Sequence, residues 1–178
     1  MRALVLTGSP HANGTTAFLA DEFCSAATEA GNEIIRFDTA KLDIRPCTGC
    51  LYCRRNDSRC VLDDEMQQIY PFLLTADSVV LVTPLYYFNM TGQLKKAVDR
   101  FFAVNPALKC SPKKLHLIAA CHDEEDWAMD TLKANFRALC HYLGWKEGSM
   151  VLAIGSNTRE DVEHSDYQAQ ARAMGASL

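Results

Sequence analysis

A chain of 178 residues with 48% apolar and 22% charged side chains has the composition of a globular protein with a substantial core. Its net charge of -4 argues against nucleic acid as the main partner, and no apolar run nears the roughly 20 residues of a membrane span. The N-terminus enters a strand at once, without a signal-peptide layout, so the cytoplasm is the expected location; eight grouped cysteines there point to metal or redox chemistry before disulfides.

Ala3–Leu6 is an apolar run that predicts a first strand. The turn Gly8-Ser9-Pro10-His11-Ala12-Asn13-Gly14-Thr15-Thr16 follows, and Leu19, Phe23, Ala26, Ala27 and Ala30 then share one helical face. Glu33–Phe37 reads as a second strand. Residues 41–62 are irregular and hold four cysteines. A helix should start near Asp63 or Asp64 with Met66, Ile69, Tyr70 and Leu73 inward, and Pro71 should kink or interrupt it. Ser78–Thr83 has the continuous apolar pattern of a strand buried on both faces. The loop 84–92 leads to a helix with Leu94, Ala97, Val98, Phe101 and Phe102 on one side and Thr91 as N-cap. Residues 115–120 predict a fourth strand. Met129 to Leu143 predicts a helix stopped by Gly144, and 149–154 a fifth strand. Thr158 to Asp161 has the form of a capping box opening a last, polar helix.

This alternation predicts one domain over residues 1–178, an α/β fold built as a three-layer, doubly wound parallel sheet of five strands. Ligands in such folds sit beyond the C-terminal strand ends, at the switch point. That places the loops 8–16, 84–92 and 121–126 around one crevice.

The first loop offers hydroxyls on Ser9, Thr15 and Thr16, amides around Asn13 and Gly14, and the imidazole of His11. At the positive end of a helix, this set suits a terminal phosphate monoester. No lysine follows Gly14, so it is not a nucleoside-triphosphate loop, nor is it Gly-x-Gly-x-x-Gly. Taken alone, the same residues describe a ligand-free helix cap equally well. The second loop holds Pro84, Leu85, Tyr86, Tyr87, Phe88 and Asn89 where a wet, polar segment is the rule. Its three aromatics suit a satellite core, a subunit contact or a flat heteroaromatic ring. A ligand with both a ring and a phosphate explains the two loops together, and FMN fits that description.

Gly8–Thr16 resembles the phosphate loop of the NAD(P)H-dependent FMN reductase family, within the flavodoxin-like fold. Thr83–Lys95 resembles that family's flavin loop and the helix after it, and the likeness runs through at least residues 1–105. The family usually has arginine at the place of His11 and often asparagine at that of Thr15. The resemblance implies strand order 2-1-3-4-5 and FMN held by Ser9, His11, Asn13, Gly14, Thr15 and Thr16 at the phosphate, with residues 84–89 at the ring. It implies an NAD(P)H-dependent FMN oxidoreductase that passes reducing equivalents to a small acceptor such as a flavin or quinone. No catalytic side chain is nominated, because the flavin carries the chemistry. NAD(P)H would dock transiently, and a homodimer or homotetramer would cover the exposed aromatic loop.

Cys47, Cys50, Cys53 and Cys60 form a compact run in the irregular segment. Thiolates at two-residue spacing can converge on one metal centre. The run also resembles the cluster motif of iron-sulfur flavoproteins, which share this fold and hold a [4Fe-4S] cluster near FMN. Three readings stay open: a cluster, making the chain an electron carrier for redox partner proteins; a structural zinc; or thiols without metal, free or paired. Arg45, Arg54, Arg55 and Arg59 surround the cysteines and mark a functional surface under each reading. Cys121 and His122 follow the fourth strand beside the expected crevice, while Cys24 and Cys140 read as packing residues.

Overall fold

The computed structural model describes all residues, Met1–Leu178. Strands β1 (Arg2–Thr7), β2 (Glu33–Asp38), β3 (Ser78–Pro84), β4 (Lys114–Ala120) and β5 (Lys146–Ala153) form one sheet in the order β2-β1-β3-β4-β5. Every neighbouring pair is parallel. The helices are α1 (Thr15–Glu29), α2 (Met66–Thr75), α3 (Gly92–Arg100), α4 (Asn105–Lys109), α5 (Asp130–Leu143), α6 (Arg159–Glu163) and α7 (Asp166–Ala176). This is the predicted flavodoxin-like, three-layer architecture.

The two-residue period of the strands sorts side chains to two cores. Leu4, Leu6, Val79 and Leu81 meet α2, α3 and α5 on one face. Val5, Val80, Val82 and Ile118 meet α1, α6 and α7 on the other. The chain leaves β1 for β2 on one side and reaches β3 on the other, so the switch point opens between β1 and β3. No helix is long and apolar enough to cross a membrane.

Three local expectations change. Helix α2 begins at Met66 and runs through Pro71 without a break. Its buried face of Met66, Ile69, Tyr70 and Leu73 outweighs the one hydrogen bond that the proline removes. The helix after the aromatic loop ends at Arg100, and a 3-10 turn at Phe101–Val104 leads into α4. The last helix is two: α6 opens on the capping box of Thr158 and Asp161, and α7 on Ser165, whose Oγ accepts from the Tyr167 amide at 3.2 Å. A polar pattern hid the contact face of α7. Gly175 lies so close to α1 that a Cβ there would sit 2.3 Å from the Phe23 carbonyl oxygen.

His116 sits in β4, where the ladder to β5 slips by a residue, and is 4% exposed. Its Nδ1 accepts from the Ser149 amide at 3.0 Å, while its Nε2 is buried without a partner. Burial, and secondarily Lys114, push its pKa from the ordinary 6.5 down to about 4. The unfolded chain therefore takes up a proton that the fold rejects. The stability this group supports is full above pH 6.5 and is lost as pH falls toward 4, by about 3 kcal/mol. His116→Phe should flatten that slope. Urea unfolding of both proteins at about pH 7 and about pH 4.5 checks it; equal slopes would contradict the assignment.

Candidate functional site

A crevice of about 680 Å³ opens beyond the C-terminal ends of β1, β3, β4 and β5. That volume is ordinary for a small-molecule site. Nine of the twelve residues named for the flavin line it: Ser9, His11, Asn13, Gly14, Thr15 and Thr16 from the first loop, and Pro84, Leu85 and Tyr86 from the second.

The first loop is not a self-satisfied helix cap. The N-cap of α1 is Gly14, and no side chain caps the helix. Ser9 Oγ instead accepts from the His11 amide at 3.1 Å, which folds the turn back on itself. The amides of Ala12 and Asn13 donate to no backbone acceptor in the protein. Those of Thr15 and Thr16 begin a helix, so they have none within it. These donor-bearing residues line the crevice at the positive end of a 15-residue helix, an arrangement that fits a phosphate.

The first and second loops are tied together. Gly8 donates to the Val82 carbonyl at 2.8 Å. The Thr91 hydroxyl donates to the Gly8 carbonyl at 2.8 Å and accepts from the Leu94 amide at 3.2 Å, capping α3. The Thr91 amide in turn donates to Thr83 Oγ1 at 3.0 Å. The phosphate-like loop and the start of the helix after the aromatic loop are therefore hydrogen-bonded to each other.

Tyr87, Phe88 and Asn89 do not line the crevice. Tyr86 and Asn89 close a two-residue turn, with the Tyr86 amide donating to the Asn89 carbonyl at 2.8 Å. Tyr87 (φ 46°) and Phe88 (φ 64°) occupy its centre in the left-handed region, which bulky side chains disfavour. Tyr87 is fully exposed, and Phe88 stacks on Trp127 with ring centroids 5.3 Å apart. The turn thus holds an aromatic platform beside the crevice at the cost of backbone strain. Replacing Tyr87-Phe88 by Asn-Gly should raise stability by about 1 kcal/mol, read by urea unfolding. Loss of stability instead would show that the platform's packing outweighs the strain.

The third wall is Ala120, Cys121 and His122. Cys121 is 6% exposed, donates its thiol to the Asp123 carbonyl at 3.3 Å, and has its pKa pushed up by burial. It packs the wall and is not poised as a nucleophile. A fourth wall, Ser156–Arg159, is one that the loop count from sequence missed. The signal was present in the Thr158 capping box, which follows β5 at the same edge of the sheet.

The four loop cysteines lie elsewhere. Cys47, Cys50, Cys53 and Cys60 all line one narrow, largely apolar pocket with Leu51, Val61, Phe102 and the buried Arg100. No group of three or more His, Cys, Asp or Glu side chains is arranged about a metal position. The four thiols share a pocket but are not drawn to one point. Hydrogen bonds from the Tyr52 amide and the Thr48 side chain hold the Cys50 thiol below its usual range, while burial raises Cys53. Arg100 braces both ends of the segment. Its Nη1 donates to the Arg45 carbonyl at 2.9 Å and to Asp64 Oδ2 at 2.7 Å, and its Nη2 donates to the Leu62 carbonyl at 3.4 Å.

Comparison with known proteins accords with this geometry. The model of the NADPH-dependent FMN reductase family matches residues 1–144. An iron-sulfur flavoprotein of Methanocaldococcus jannaschii is 35% identical over 115 residues, 65% of this chain and 56% of that protein. An iron-sulfur flavoprotein of Methanosarcina thermophila is 31% identical over 100 residues, 56% of this chain and 52% of that one. The chain thus spans about half the length of the curated relatives it matches. The NAD(P)H:quinone oxidoreductase from Methanothermobacter marburgensis superposes with a TM-score of 0.75 at 17% identity, over 100% of this chain and 96% of that one. An FMN-dependent NADH-azoreductase from Bacillus anthracis, in complex with FMN, gives 0.70 at 15% identity over 100% and 99%. These two likenesses bear on the fold, and the family match, which runs through three of the four walls of the crevice, bears on kinship: the chain belongs to the NADPH-dependent FMN reductase family.

Proposed function

We propose that the chain is an FMN-dependent oxidoreductase that holds FMN in the four-walled crevice and passes reducing equivalents from NAD(P)H to a small acceptor. One observation carries this reading: uncapped amides and hydroxyls at the start of α1 share a single 680 Å³ space with the apolar segment Pro84–Tyr86. The first end suits a phosphate and the second a flat ring. Bound FMN supplies the redox chemistry, taking hydride from a nicotinamide and releasing electrons to the acceptor. The protein's part is binding and orientation. Ser9, Asn13, Thr15 and Thr16 present donors to the phosphate, and Gly14 leaves room at a tight point, where a Cβ would sit 3.2 Å from His11 Cβ. Pro84, Leu85 and Tyr86 flank the ring, with Thr91 fixing the spacing between the two ends. The exposed Tyr87, Phe88 and Trp127 platform supports docking of planar molecules beside the flavin, or of a second copy of the chain.

A second reading, an iron-sulfur flavoprotein that serves a redox partner protein, draws on a separate observation. All four cysteines of the compact run face one pocket, and four thiolates are the donor set of a [4Fe-4S] cluster. The pocket's free volume is about 20 Å³, so a cluster requires the segment between Cys47 and Cys60 to move outward. Helix α3 follows the aromatic loop and ends at Arg100, which lines this pocket, so one element joins the second loop to the cysteine segment.

Anaerobic purification, FMN reconstitution, an iron assay and mixing with NADH or NADPH test both readings. Flavin absorption bleached by a nicotinamide, without iron, supports the reductase. Flavin with about four irons per chain favours the second reading. A folded protein that retains no FMN would sink both.

A further inference from the structure

The crevice has a cation that the phosphate-like loop itself lacks. Arg159 is the one permanently charged side chain that lines it. The guanidinium lies over the Phe18 ring, 5.0 Å from the centroid. Phe18 is one turn into α1 from Thr15, so the group is held beside the first turn of that helix. Its Nε donates to Glu163 Oε1 at 2.6 Å. Ring and carboxylate engage one face and the Nε of a side chain that is 44% exposed, and neither Nη1 nor Nη2 donates to any protein acceptor. Two free, parallel N–H donors of a planar fork suit a phosphate monoester.

The other cations near the loop are already engaged. Arg36 and Lys41 line an adjoining cleft beneath Ser9 and His11, not the crevice. Arg36 pairs with Asp21 and Asp38, and Lys41 pairs with Asp38. Of the nearby carboxylates, Asp161 Oδ2 accepts from the Asn157 and Thr158 amides, at 2.8 and 2.7 Å. Glu163 leaves Arg159 its two outer donors.

We propose that Arg159 is a phosphate-binding residue of the crevice, clamping the 5'-phosphate of FMN from the β5–α6 wall beside the loop at Ser9–Thr16. This rests on the reading that FMN occupies the crevice. It assigns the charge of phosphate recognition to the C-terminal quarter of the chain, beyond the segment that the family model matches.

The test compares two ligands that differ only in the phosphate. FMN and riboflavin are titrated into flavin-stripped wild type, Arg159→Ala and Arg159→Lys, with quenching of flavin fluorescence as the readout. Arg159→Ala should raise the FMN Kd about 10- to 100-fold and change the riboflavin Kd less than about twofold. Arg159→Lys keeps a point charge without the fork and should fall between. Equal weakening of both flavins would make Arg159 a structural residue and overturn the proposal, as would no change in either. A change confined to the KM for NADPH, with that for NADH unaltered, would also overturn it by moving the clamp to the nicotinamide's 2'-phosphate. Wild type that binds neither flavin would instead overturn the FMN reading itself.

Discussion

Asp64→Ala is expected to cost about 3–5 kcal/mol and to loosen the whole cysteine segment. The side chains of Asp64 and Arg100 are each 1% exposed and meet at 2.7 Å. Burial alone would raise the Asp64 carboxyl, but hydrogen bonds from Arg100 and from the Arg45 and Met66 amides hold it below the usual carboxylate range. Arg100 Nε is already buried without a partner. Removing the carboxylate leaves a buried guanidinium paired only with the carbonyls of Arg45 and Leu62. Those carbonyls flank the run from Cys47 to Cys60, so the loss should reach the thiols. Urea unfolding measures the stability, and the rate of thiol labelling at Cys53 and Cys60, both only partly exposed, measures the loosening. Pairing the change with Arg100→Met removes the stranded charge and should recover part of the loss. A single variant within about 1 kcal/mol of wild type would show that water reaches the pair.

Gly8→Val should cost about 3–4 kcal/mol and weaken FMN binding by more than about 100-fold. A Cβ at residue 8 would lie 2.5 Å from Thr91 Oγ1 and 2.6 Å from Leu94 Cβ, contacts that real side chains do not make. Helix α3 must retreat, and the Thr91 hydrogen bonds to Gly8 and Leu94 go with it. The two ends of the crevice would then lose their common spacing. Calorimetric unfolding and FMN titration read the two effects separately. A stable variant with weakened FMN would still support the site, whereas a stable variant with unchanged FMN binding would remove Gly8 and Thr91 from it.

Much of this architecture is written in local patterns. Continuous apolar runs such as Ser78–Thr83 mark buried strands, and Thr91, Gly144 and the Thr158–Asp161 box are each found capping as their chemistry requires. What escaped the sequence is what depends on long-range contact. The packing of α7 on α1 relies on a glycine at a close approach, which looks in sequence like a weak helix former. Arg100 ends an amphipathic helix, where an arginine ordinarily signals a solvent-facing charge, yet it is the buried brace of a loop 36 residues upstream. The left-handed turn at Tyr87 and Phe88 contradicts their residue types, and these two side chains lie outside the lining of the crevice. The fourth wall lay in a segment read only for its helix cap.

The most direct measurement is the stoichiometry of FMN on folded, flavin-stripped protein, followed by quenching of flavin fluorescence. One FMN per chain is expected, with loss in Gly8→Val and weaker binding in Arg159→Ala. A folded wild-type protein that leaves added FMN free and fully fluorescent would contradict the assignment of the crevice.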